Sequence, residues 1–169
     1  PTLSYSPPHP KDRNHIPQTF TLEMAQLAGF LLGDGSVGQD GRTTLCIPRT
    51  QHGRKEYEEL VVHIFGATPS VDDANITICS KSVAELFRNL GLDKYATEKE
   101  IPDWVFRLPR EHRLAFVKGY LDSDGTVAKN GTTIFECGSR ELVVKLKALL
   151  DSMGFTTGNL RKRKVDNTH

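Results

Sequence analysis

The strongest constraint on this chain is that part of it occurs twice. Asp34-Gly35-Ser36-Val37 returns 90 residues later as Asp124-Gly125-Thr126-Val127. The same offset lays Gly41 on Gly131, Thr43 on Thr133 and Leu45 on Phe135. Each copy begins as an apolar helical pattern, stops at an Asp-Gly, and continues into alternating residues broken by a turn dipeptide, Asp40-Gly41 or Asn130-Gly131. Such dipeptides mark tight hairpins, because the turn needs positive φ. A repeat of helix end, hairpin and strand predicts a duplicated α-β-β-α-β-β-α unit in an α/β (α+β) fold with two antiparallel sheets.

The first helix is expected from the Thr21 cap to Gly33-Asp34-Gly35, with strands at 36–39 and 42–48. A helix follows at 54–65, stopped by Gly66. A strand pair near 69–79 leads to a helix at 80–90, stopped by Gly91. Residues 92–108 read as irregular. The second copy opens with a helix near Pro109 and includes a helix at 139–153 stopped by Gly154. Residues 155–165 are expected to pair as strands. Adding 90 to the helix at 80–90 runs past His169, so the second copy is expected to be truncated. Residues 1–20 hold five of the nine prolines and read as an extended arm. The organisation expected is arm 1–20, first half 21–98 and second half 99–169.

The chain carries 22 Lys+Arg against 21 Asp+Glu, so bulk charge does not mark a nucleic-acid binder. The densest basic run is Arg161-Lys162-Arg163-Lys164. No apolar run approaches a membrane span and no signal-peptide pattern is present, so an intracellular protein, cytoplasmic or nucleoid-associated, is expected. Three cysteines, Cys46, Cys79 and Cys137, sit in apolar, strand-like stretches and read as buried reduced thiols. The histidines form no zinc pattern.

The chemistry is carried by the two repeat-start helices. Ala25, Gly29 and Gly33 fall at i, i+4 and i+8, and Ala115, Gly119 and Ser123 match them. Such a stripe lets two helix backbones approach closely. Packing the stripes together brings Asp34 and Asp124 to the same end of the pair. Both acids would then lie at negative helix termini and repel each other. A divalent cation resolves both penalties, and paired acids with Mg2+ suit phosphodiester hydrolysis.

The stretches Leu27-Ala28-Gly29-Phe30-Leu31-Leu32-Gly33-Asp34-Gly35 and Val117-Lys118-Gly119-Tyr120-Leu121-Asp122-Ser123-Asp124-Gly125 resemble the two signature helices of the LAGLIDADG homing endonucleases. The surrounding residues, with Ile101-Pro102 ahead of the second helix, are similar to the endonuclease domain inserted in inteins. The resemblance implies a pseudo-two-fold fold whose two saddle-like sheets sit over double-stranded DNA. It implies a monomer acting as a pseudo-dimer, fused to a splicing domain outside this chain. It makes Asp34 and Asp124 the metal-binding catalytic carboxylates and Lys99, just before Ile-Pro, an assisting lysine, with Lys94 the lesser substitute. The second copy's equivalent of Lys99 would fall near position 189. Asp122 reads as structural or peripheral.

With Thr43, Leu45 and Ile47 turned to the helices, Arg42, Thr44 and Cys46 would face DNA, and Thr132, Ile134 and Glu136 in the second copy. Arg49, His52, Arg54 and Lys55 read as a phosphate-contacting loop and helix start. Lys129, Arg140 and the 161–164 run would serve the other half. The reading is a site-specific, Mg2+-dependent double-strand endonuclease. The alternatives are a non-cleaving DNA-binding regulator, an RNA maturase of the same fold, and an inactive fragment.

Overall fold

Thr21 starts the first helix by accepting the Met24 N–H on its hydroxyl at 3.3 Å, so α1 runs Leu22–Asp34. The computed structural model describes residues 3 and 15–162 of the chain. After α1 come β1 (Gly35–Val37), β2 (Arg42–Cys46), α2 (Arg54–Phe65), β3 (Ser70–Val71), β4 (Asn75–Cys79) and α3 (Lys81–Asn89). Then follow α4 (Asp103–Phe106), α5 (Arg110–Asp124), β5 (Gly125–Val127), β6 (Thr133–Phe135) and α6 (Arg140–Ser152). The chain is thus α/β with six helices and antiparallel sheets among the described residues, the fold class expected from its sequence.

The two hairpins agree in detail. β1 pairs with β2 through Gly35–Leu45, Ser36–Thr44 and Val37–Thr43, and β5 pairs with β6 through Gly125–Phe135, Thr126–Ile134 and Val127–Thr133. At each turn an Asx side chain accepts a backbone N–H two residues on, Asp40 from Arg42 and Asn130 from Thr132, both at 3.1 Å. Gly41 and Gly131 follow with φ of +87° and +81°, a region that glycine enters without steric cost.

α1 and α5 lie side by side at the centre. A methyl group added to Gly29 would sit 1.9 Å from the Phe116 carbonyl oxygen. One added to Gly119 would sit 1.9 Å from the Gln26 carbonyl oxygen. Gln26 and Phe116 are equivalent positions of the repeat, so the contact is reciprocal, as a local two-fold axis requires. α1 carries buried residues around its whole circumference, from Met24 to Gly33. A helix apolar all round belongs in the middle of a structure.

The first half builds a four-stranded sheet in the order β1-β2-β4-β3. Its inner face is set by strand alternation: Thr43, Leu45, Ile47, Ile76 and Ile78 are buried against the helices. Val61, Phe65, Val83, Leu86 and Phe87 complete that core. The second half holds only the two-stranded β5–β6 sheet among the described residues, with α6 buried through Leu142, Leu146 and Leu149. Thr133 is exposed where its equivalent Thr43 is buried, because no counterpart of β3, β4 or α3 covers it among the described residues.

Three expectations need correction. Residues 155–162 form no strand, and 163–165 lie outside the described residues. The 92–108 segment is not wholly irregular: α4 forms there, anchored by Trp104, whose indole N–H donates to the Leu90 carbonyl at 2.9 Å. Trp104 also meets Phe20 and Phe116 edge-on, at 5.1 and 6.2 Å between centroids. The second sheet has two strands among the described residues, against four in the first, in line with a second copy expected to be incomplete. Cys46 and Cys79 are exposed and Cys137 half-buried, all as free thiols. Both exposed thiols fall on the outward parity of their strands, opposite Leu45 and Ile78.

Most of the 1–20 segment lies outside the described residues. Residues 15–20 are irregular but seated on the body: Ile16 is buried, and the His15 N–H donates to the Phe65 carbonyl at 2.6 Å.

Candidate active site at the paired helix ends

The close approach of α1 and α5 fixes where their last residues go. Asp34 and Asp124 are the final helical residues, and each is half-buried. A methyl group added to Gly33 would sit 1.9 Å from the Ser123 hydroxyl and 3.2 Å from Oδ2 of Asp124. The Asp124 carboxylate therefore lies against the backbone of α1, next to Asp34.

The electrostatics are those of two acids in one place. Burial raises the pKa of Asp34, and the negative charge of Asp124 raises it further. Burial likewise raises Asp124, which the Lys99 charge and the Tyr120 hydroxyl hold back. Lys99 opposes the rise at Asp34 as well. It is half-buried, and its ammonium donates to the carbonyl of Gly33 at the end of α1. That carbonyl is one of the acceptors a helix C-terminus leaves unpaired. The structure thus brings together Asp34, Asp124 and Lys99, three residues spread over 90 positions. Lys94 is elsewhere, paired with Glu100 beside Lys145.

Cys46 is a neighbour that sequence reasoning did not place there. Its thiol pKa is raised by burial and by the nearby Asp34 charge. Tyr120 was missed too, although it stands one helical turn before Asp124, the spacing that puts two side chains on one face. Asp122 faces away from the pair. It accepts from the Tyr57 hydroxyl at 2.8 Å and from Lys118 at 2.9 Å, and Lys118 also meets Glu56 at 2.9 Å. This network ties α2 to α5.

The donor set suits a hard cation. Mg2+ usually takes one or two carboxylates and completes its shell with water and substrate phosphates. Among the described residues no group of three or more His, Cys, Asp or Glu could hold a metal ion. Asp34 and Asp124 are the residues here that could offer oxygen donors to such an ion.

Of the basic residues expected at phosphates, Arg54 is not available. It is 7% exposed, and its guanidinium donates to the carbonyls of Ile47 and Asp72, each at 2.6 Å, and Asn75 at 3.1 Å. Nε meets Glu58 at 2.8 Å. Arg54 is a clasp for the loops on either side of the sheet, a task its five fixed donors suit. Arg42, Arg49, His52 and Lys55 are exposed, and Thr44 is half-buried on the outer sheet face. Arg42 reaches Asp40 at 3.5 Å, Arg49 reaches Asp73 at 3.3 Å and Lys55 reaches Glu59 at 3.6 Å. Exposed pairs of this kind are weak and exchangeable. Lys129, Thr132, Arg140, Arg161 and Lys162 are exposed, while Arg163 and Lys164 lie outside the described residues.

Comparison with known proteins bears on the second helix of the pair. Residues 111–169 match the LAGLIDADG-like domain family. The LAGLIDADG-like stretch takes in nearly all of α5, including Asp124, and everything after it. The chain is also 26% identical, over 83% of its length, to an iron–sulfur cluster assembly SufBD family protein of Mycobacterium leprae, of which it spans 17%. It is 26% identical over 63% of its length to a tRNA-splicing ligase of Methanopyrus kandleri, spanning 13% of that protein. A DNA polymerase of Thermococcus kodakarensis is 37% identical over 44% of this chain, which spans 4% of it. The chain therefore covers a small part of each relative. No helix among the described residues is long and apolar enough to cross a membrane.

Proposed function

We propose that this chain is the cutting portion of a site-specific double-strand DNA endonuclease of the LAGLIDADG type. The observation that carries the reading is the meeting of Asp34, Asp124 and Lys99 at the joined ends of α1 and α5. Two mutually repelling, half-buried carboxylates are costly for stability, which favours a role for them beyond packing.

In this reading Asp34 and Asp124 would hold Mg2+. When bound, Mg2+ lowers the pKa of its water and neutralises charge on the leaving oxygen. Lys99 holds the end of α1 in place through Gly33 and adds positive charge where a phosphate would arrive. Arg42, Thr44 and Arg49 line the outer face of the first half, with Lys129, Thr132 and Arg140 in the second, so phosphates and base edges would be met by both. Strands in a major groove read base edges directly.

We further propose that the chain comes from an intein. Its relatives are named for unrelated tasks, and it spans only 17% of the iron–sulfur assembly protein and 13% of the tRNA-splicing ligase. One recurring segment inside hosts of different function is what an inserted element leaves behind.

The test is incubation of the chain with Mg2+ and a randomised duplex library, followed by sequencing of the ends produced. Defined cut sites that vanish with EDTA and with Asp34→Asn support the reading. A chain that binds duplex DNA tightly but leaves it whole points instead to a DNA-binding regulator.

A further inference from the structure

Tyr120 stands four residues before Asp124 on α5, and Phe30 occupies the equivalent place before Asp34 on α1. Both rings are buried, each 1% exposed. Phe30 leans on Tyr57 with centroids 4.5 Å apart, and Tyr120 stacks on Phe135 at 5.7 Å. The two halves differ here by one oxygen atom.

That oxygen needs a partner. A buried hydroxyl without a hydrogen bond carries an uncompensated desolvation cost. The Tyr120 hydroxyl makes no well-formed hydrogen bond inside the protein. Its polar neighbours are the Asp124 carboxylate and the Cys137 thiol. A thiol is a weak acceptor. An ionised carboxylate is a strong one, and an O–H donor bound to it gives a short bond of roughly twice the ordinary strength. On its other side the Asp124 carboxylate is bounded by the backbone at Gly33.

We propose that Tyr120 is a positioning residue: its hydroxyl donates to the ionised Asp124 carboxylate and fixes that side chain against α1. Asp34 has no such donor on its own helix, because Phe30 carries none. The two carboxylates are then unequal partners, Asp124 pre-organised and Asp34 free to adjust. The value of this arrangement for metal binding rests on the proposed cation site; the pairing itself does not.

Ultraviolet resonance Raman spectroscopy of the full chain tests the pairing without metal. The tyrosine doublet reports whether a phenol donates to a strong acceptor. Subtracting the Tyr120→Phe spectrum isolates Tyr120 among the four tyrosines. That substitution keeps the ring and its stack on Phe135. The expected Tyr120 signal is of donor type at neutral pH, is lost in Asp124→Asn and survives in Asp34→Asn. A signal indifferent to Asp124→Asn overturns the assignment. Titration with Mn2+ alone supplies the second arm. Affinity about tenfold weaker in Tyr120→Phe is expected, the scale of one charge-assisted hydrogen bond. Equal affinities overturn the positioning role. If the wild-type chain takes up no Mn2+ but the Raman dependence on Asp124 holds, the pairing stands and the cation site fails.

Discussion

Gly29 lies so close to Phe116 that a single methyl group would overlap the Phe116 carbonyl oxygen, at 1.9 Å. The obstacle is backbone, so no rotamer change relieves it. Gly29→Ala must push α1 and α5 apart, and Gly119→Ala must do the same against Gln26. Each is expected to cost about 3 kcal/mol, the upper part of the range for overpacking. Urea midpoints at constant m-value check this. Under the proposed function, the same variants should lower metal-dependent cutting more than DNA affinity, because the carboxylates ride on the two helices.

Asp34→Asn and Asp124→Asn keep size and remove charge. Under the proposed mechanism each lowers the cleavage rate by about a hundredfold or more, comparable to losing a charge-stabilising group at an active site. DNA affinity should hold or rise. Single-turnover cleavage and binding in Ca2+ separate the two effects. A wild-type cutting rate in Asp34→Asn would sink the mechanism.

The raised pKa values have a consequence for stability. A carboxyl whose folded pKa lies above its unfolded value binds protons more readily when folded. Stability therefore falls as pH rises through the window between the two values. For Asp34 and Asp124 that window opens at the ordinary aspartate value of 3.8 and extends upward. Above that window both are ionised and the penalty is complete. Asp34→Asn is expected to melt higher than wild type at pH 7, and the gain should shrink as pH falls through the window. Parallel melting curves from pH 3 to 8 check the sign. Comparing variant with wild type matters, because Glu100, held down to about 2 by Lys145 and Lys94, works in the opposite direction at low pH.

Arg54 and Lys55 are neighbours in sequence with separate tasks. Arg54→Ala leaves buried carbonyls unpaired and should cost about 3 kcal/mol of stability, the scale of lost hydrogen bonds to a charged donor. Lys55→Ala should leave the melting point nearly unchanged. If Lys55 meets a phosphate, the variant also flattens the salt dependence of DNA binding by about one released counterion. Chemical unfolding and salt-titrated affinities distinguish them.

Features set by local chemistry were legible from the sequence. The Thr21 cap and the Asp34-Gly35 stop bound α1 within a residue, and Asp40-Gly41 and Asn130-Gly131 fix both hairpins. The meeting of Asp34 with Asp124 was legible because small residues recur at matching places in two helices. Arg54 was not, since its partners are main-chain carbonyls brought in from residues 72–75. Nothing in the residue pattern singles out Tyr120, whose surroundings are set by the packing of its ring on Phe135. Cys46 shows which signal is the better one: strand alternation with Leu45 inward turns it outward, as found, whereas its apolar neighbours suggest a buried thiol. α4 is a single turn held by the Trp104 indole, and a four-residue pattern gives no periodic signal.

The two hairpins share a register but not a vocabulary. Arg42 corresponds to Thr132, Thr44 to Ile134 and Cys46 to Glu136. A dimer of identical subunits must present the same letters twice and so prefers a palindrome. One chain carrying both halves has no such obligation, since a substitution in the first hairpin leaves the second untouched. A duplex lying across these sheets would be read as two different words, and its recognition sequence would have a direction.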